Sequence, residues 1–186
     1  MTTKRRRKKL KIENALLDEQ PDKISLKIKV EPKTENQSAY LQSIIDNEIV
    51  FCSGPAGSGK SFLAVFFACT CLVKDMVNKI IITRPMIQCG KGLGFLQGGL
   101  AEKFNPYASP IIEAFTDLLG EQVYNRLVKE GVIEILPLEL CRGKNFHKCI
   151  VLADEMQNAT LQQLTMILTR HGHNTKTIIT GDPKQT

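Results

Sequence analysis

Ile49-Val50-Phe51-Cys52-Ser53-Gly54-Pro55-Ala56-Gly57-Ser58-Gly59-Lys60-Ser61 is the stretch on which the fold turns. A short apolar run, of the kind that forms a buried strand, ends in a glycine-rich turn that fits GxxxxGK[ST]. A strongly apolar helical pattern follows over residues 60–73. Glycine lets the backbone curl where side chains would block it. The N–H groups of Gly57 to Ser61 can then point at phosphate oxygens, helped by the positive end of the helix. Gly54, Pro55, Ala56, Gly57, Ser58, Gly59, Lys60 and Ser61 are therefore expected to cradle the phosphates of a nucleotide. Within that cradle Lys60 should bridge the β- and γ-phosphates, and the Ser61 hydroxyl should take a position on Mg²⁺.

The second anchor lies 94 residues beyond Lys60, where Ile150-Val-Leu-Ala-Asp154-Glu155 reads as a buried strand ending in two carboxylates. A nucleotide-bound magnesium needs an acid at a strand end facing the phosphate loop, and Asp154 is spaced for that role. Glu155 suits the orientation and deprotonation of an attacking water. An acid beside the metal carboxylate favours hydrolysis over transfer to another substrate. Gly181-Asp182-Pro183-Lys184-Gln185 follows a further apolar strand. Two readings stand for Asp182 and Gln185: contact with the γ-phosphate or its water at the mouth of a parallel sheet, or a plain Gly-Asp-Pro turn.

Outward from these anchors, strands and helices alternate. Helical patterns cover residues 36–46, 109–119 and 121–130. Apolar strand patterns cover 80–82, 132–135, 149–153 and 177–180. Ile24, Leu26, Ile28 and Val30 alternate with polar residues, which predicts a half-exposed edge strand. Thr160 and Gln163 form a capping-box pattern ahead of a helix that should stop near Gly172. Residues 89–99, with five glycines, read as a loop. Apolar strands joined by helices predict an α/β fold with a parallel sheet covered on both faces. The expected organisation is a flexible basic arm over residues 1–22 and one domain over 23–186.

A chain of 186 residues with 42% hydrophobic and 24% charged residues has the length and composition of one folded domain. No apolar run is long enough to cross a membrane, and no apolar signal core follows the basic N-terminus. Six cysteines without a CxxC pair suit a reducing cytosol, and a cytoplasmic location is expected. Residues 1–33 hold 11 basic and 5 acidic side chains, whereas residues 34–186 hold 14 of each. The surplus is densest in Lys4-Arg5-Arg6-Arg7-Lys8-Lys9. Such an arm is either a solvated tail or a polyphosphate-seeking segment with RNA or single-stranded DNA as its partner. Phe95, Phe104 and Tyr107 either stack on bases or pack helices.

Taken together, the motifs resemble those of the PhoH-like family of P-loop ATPases, which is related to superfamily-one helicases. The segments that carry the resemblance are Pro32 to Gln37, Gly54 to Ser61, Thr83-Arg84-Pro85, Leu93-Gly94-Phe95-Leu96, Arg142-Gly143, Asp154 to Asn158 and Gly181 to Gln185. The resemblance implies a P-loop NTPase with a RecA-like parallel sheet, ATP hydrolysis with Mg²⁺ and an RNA-related or helicase-like role. It implies that Gln37 lies near the adenine, that Gln157 couples the γ-phosphate to neighbouring loops, and that Gln185 assists. Thr83, Arg84 and Arg142 would line a nucleic-acid or subunit face.

The chain departs from the family pattern at Gln97-Gly98-Gly99 and at Lys91. It also stops at Thr186, where the family normally continues. A truncated copy and a natural minimal form both stand, and an exposed sheet edge is expected. The arginine finger could be among missing parts, or be supplied by Arg84, Arg142 or Arg170. A homo-oligomeric ring follows by analogy only.

Two functions from different classes follow. One is a magnesium-dependent ATPase, with Lys60, Glu155 and Gln185 as catalytic residues, acting on RNA or single-stranded nucleic acid. The other is an ATP-gated assembly or regulatory module without significant turnover. A P-loop kinase is disfavoured by the Asp154-Glu155 pair and the Gly181 to Gln185 turn.

Overall fold

The computed structural model describes residues 24–86 and 100–185, with the backbone alone for residues 100–107. The basic arm, the glycine-rich loop and the side chains of Phe95, Phe104 and Tyr107 lie outside the described residues. Ten regular elements run in the order α1 (Glu35–Asp46), β1 (Ile49–Ser53), α2 (Lys60–Val73), β2 (Lys79–Arg84), α3 (Leu100–Leu119), α4 (Glu121–Lys129), β3 (Ile133–Pro137), β4 (Cys149–Ala153), α5 (Leu161–Leu168) and β5 (Lys176–Gly181).

The local signals explain where the helices begin. Thr34 Oγ1 accepts from Gln37 N at 3.2 Å and starts α1. Thr160 and Gln163 form the expected capping box at the head of α5, with bonds of 3.2 and 2.8 Å. That helix stops at Leu168, four residues before Gly172.

The five strands form one parallel sheet in the order β1-β5-β4-β2-β3. Parallel neighbours cannot be joined by a hairpin, so the connections must cross the sheet faces, and helices supply most of them. The strand period of two divides the core between the faces. Ile80, Ile82, Ile150, Leu152 and Ile178 pack with Leu63, Phe115 and Leu127 of α2, α3 and α4. Ile81, Val151, Ala153 and Ile179 pack with Phe146, Met156 and Ile167 on the α5 side. This is the expected α/β, RecA-like P-loop architecture with both faces covered. Among the described residues no helix is long and apolar enough to cross a membrane.

One expected strand is absent. Ile24 to Val30 forms no ladder with the sheet. Ile24, Leu26 and Val30 do pack partly against the core, so the alternation reports burial correctly. The partner is a helix end, not a strand: Lys27 N donates to Leu118 O at 2.8 Å. Gly120 follows α3 at φ +84°, and an added Cβ there would lie 2.1 Å from the Lys27 ammonium.

At one margin of the described sheet, β1 pairs with β5 alone and leaves Ile49 40% and Phe51 60% exposed. At the other margin Glu134 of β3 is bonded by Lys79 at 2.7 Å and Lys144 at 3.0 Å. Because all strands run the same way, Ser53, Arg84, Ala153 and Gly181 end at a single rim. That rim is where the chemistry gathers.

Candidate functional site

The phosphate loop leaves β1 at Gly54, whose N–H donates to Gly181 O at 3.2 Å. Gly57 and Gly59 sit at φ +74° and +86°, a region that a side chain disfavours. An added Cβ at Gly59 would also lie 3.2 Å from the Gln37 amide. The first bond of α2 runs from Leu63 N to Gly59 O at 2.9 Å, so the N–H groups before Leu63 have no partner within the helix. Lys60 folds back over the loop, with Nζ 2.6 Å from Gly54 O and 2.8 Å from Pro55 O. These bonds hold the Lys60 cation over the loop's own carbonyls. Beside it opens a cavity of about 380 Å³, lined in part by Gly57, Lys60, Ser61 and Glu155.

Across the rim, Asp154 follows β4 and is only 2% exposed. Its Oδ1 accepts from Ser61 Oγ at 2.7 Å and from the Thr180 hydroxyl of β5. Its Oδ2 accepts from Arg84, Nε at 2.9 Å and Nη2 at 2.7 Å. Strand register explains the meeting: Thr83 of β2 pairs with Ala153 of β4, which sets Arg84 beside Asp154. Ser61 and Asp154, 93 residues apart, thus bring a hydroxyl and a carboxylate oxygen together. Hydroxyl and carboxylate oxygens are the donors that Mg²⁺ prefers, so the set fits that ion.

Glu155 adopts φ +56° and ψ +35°, a left-handed conformation that costs a non-glycine residue of order 1–2 kcal/mol. Its Oε1 lies 3.2 Å from Arg84 Nη2, and its Oε2 accepts from Gln157 Nε2 at 2.5 Å. Gln157 Oε1 in turn accepts from Asp182 N at 3.0 Å, and Asp182 Oδ2 accepts from Gln185 Nε2 at 2.8 Å. Gln157, Asp182 and Gln185 are therefore strung into one polar relay ending on Glu155. Gly181 lies against it: a Cβ there would stand 3.0 Å from Gln157 Oε1, so the amide would have to shift.

Gln37 bonds Ser58 O at 3.1 Å and accepts from Lys33 N at 2.7 Å, which ties α1 to the back of the phosphate loop. The sequence reading missed one member of the site, Thr180, which gave no motif signal. Arg84 was offered both for a nucleic-acid or subunit face and as a stand-in for the arginine finger; its side chain is 14% exposed and turned onto Asp154 and Glu155. Thr83 is buried, bonded by Cys141 Sγ at 3.5 Å, and lines no surface. Arg142 is exposed on the loop after β3. Arg170 O accepts from Phe146 N near the opposite end of the sheet.

A sequence model described as PhoH-like protein matches residues 29–186. The chain belongs to the PhoH-like family. It is 45% identical over 153 residues to the PhoH-like protein of Bacillus subtilis, covering 82% of this chain and 48% of the relative. Against the PhoH-like protein of Mycobacterium tuberculosis it is 42% identical over 156 residues, covering 84% and 44%. Protein PhoH of Escherichia coli is 37% identical, covering 82% of this chain and 44% of that protein. The chain thus spans just under half the length of these PhoH-like relatives.

Solved structures with a similar fold include the UvsW helicase from bacteriophage T4 (TM-score 0.54, 14% identity, 90% of this chain and 58% of that one). A Sulfolobus solfataricus SWI2/SNF2 ATPase core in complex with dsDNA scores 0.55 at 10% identity, over 89% of this chain and 34% of that one. At such identities the likeness is one of fold. The chain is thus a PhoH-like domain, and the cluster around Asp154 lies at the carboxyl rim of its parallel sheet.

Proposed function

We propose that this PhoH-like chain binds Mg-ATP at Gly54 to Ser61 and hydrolyses it, coupled to RNA or single-stranded nucleic acid. The reading is carried by one observation, the 2.7 Å contact between Ser61 Oγ and buried Asp154. Magnesium held by Ser61 and Asp154 would neutralise charge on the β- and γ-phosphate oxygens. Lys60 exchanges its bonds to Gly54 and Pro55 for the phosphates. Glu155 orients the attacking water and takes its proton. Gln157, Asp182 and Gln185 report the state of that carboxylate along their relay, and Gln37 steadies the loop beside the adenine.

Lys60→Ala weakens Mg-ATP binding by about 10–100-fold, the loss expected for charge-assisted hydrogen bonds. Calorimetry of wild type and variant measures it; equal affinities would sink the nucleotide reading. Phosphate release with and without single-stranded RNA then separates the two functional classes. RNA-stimulated turnover supports the coupled ATPase, and tight binding without turnover identifies the ATP-gated module. The partner segment is Lys4 to Lys9 with Lys11. Deleting residues 1–11 lowers RNA affinity and flattens the slope of log affinity against log salt, since fewer counterions are released. Unchanged affinity and slope in a salt titration would remove the arm from the account.

A further inference from the structure

Asp154 is shared by three donors, and they are not alike. Ser61 and Thr180 bring hydroxyls to Oδ1, while Arg84 brings a full positive charge to Oδ2. The same guanidinium reaches Glu155, so one planar fork spans both acids of the site. Arginine is suited to such bridging, and lysine is not. A divalent cation bound by Ser61 and Asp154 would put a second positive charge on the same carboxylate. Like charges this close, on a carboxylate only 2% exposed, are screened far less than at a surface.

We propose that Arg84 is a positioning residue that competes with the metal, bridging Asp154 and Glu155 at rest and leaving both when Mg-nucleotide enters. The proposal rests on the reading that Ser61 and Asp154 hold magnesium. Pro85 restricts the backbone of Arg84 to extended conformations, so the motion is a side-chain swing and β2 stays in register. Departure of the guanidinium frees Glu155 Oε1 to meet a water. Metal arrival and release of the base thereby become one event. By linkage, whatever holds Arg84 on Asp154 weakens metal binding by the same factor that metal weakens the bridge.

The test uses Mn²⁺ with ADP as the probe. Arg84→Met keeps the length of the side chain and removes its charge. Mn-ADP should bind the variant about tenfold more tightly than wild type, a coupling ordinary for close charge pairs. ADP in EDTA should bind both equally. Equal or weaker Mn-ADP binding by Arg84→Met overturns the proposal.

Wild type supplies a check that needs no variant. The Arg84 Nε–H signal in a nitrogen-resolved spectrum should be sharp and protected without metal, and should shift and lose protection on adding Mg-ADP. An unmoved signal at saturating Mg-ADP overturns the competition as well. If wild type binds no Mn-ADP at all, the reading of the site falls and this proposal with it. If Lys60→Ala abolishes binding and Arg84→Met does not tighten it, only the competition falls.

Discussion

Glu155→Gln lowers single-turnover phosphate release by about 10²–10⁴-fold, the range for loss of a positioned general base. Binding of Mg-ATP stays near the wild-type value, because Glu155 lies beside the phosphate cradle and outside it. The substitution also tests the relay. Gln157 Nε2 donates to Glu155 Oε2 while its Oε1 receives Asp182 N. A glutamine at 155 that keeps its oxygen toward Arg84 turns its own NH₂ toward that donor. Gln157 must then flip and give up Asp182, or separate. Rapid-quench measurements with wild type and variant decide the matter, and rates within threefold of one another would remove Glu155 from the chemistry.

Asp154→Ala is expected to cost the fold about 3 kcal/mol. That is the lower end of the range for stripping one partner from a buried ion pair. The cost stays low in that range because Arg84 keeps its 3.2 Å contact to Glu155. The hydroxyls of Ser61 and Thr180 lose their common acceptor as well. Asp154→Asn retains an oxygen for those hydroxyls but sets its NH₂ against the Arg84 donors, so it should cost a comparable amount by a different route. Urea denaturation in EDTA measures both losses against wild type; a wild-type midpoint for Asp154→Ala would remove the buried pair from the account.

The phosphate loop, the strand leading to Asp154 and the capping box at Thr160 were legible because each is a local rule. A turn needs its glycines, a buried strand needs its apolar run, and a helix start needs its side-chain acceptor. What escaped the sequence reading depended on neighbours distant in the chain. The alternation from Ile24 to Val30 states which side is buried and not what buries it, so a helix-packed segment was read as a strand. Arg84 is one of three unranked candidate finger arginines in one dimension. Only the pairing of Thr83 with Ala153 turns it onto two acids 70 and 71 residues away. Thr180 is invisible for the same reason, being one threonine among many until β5 lies between β1 and β4.

The strand order also dictates when the site can come into being during synthesis. Within the described sheet, the second-made half of the loop's frame is β5, the last strand to leave the ribosome, although β1 is the first. While the intervening chain emerges, β1 lacks its strand partner of the described sheet, and such late, long-range closure is slow. Nascent chains halted before Lys176 should therefore be unable to retain nucleotide, however complete their glycine-rich turn.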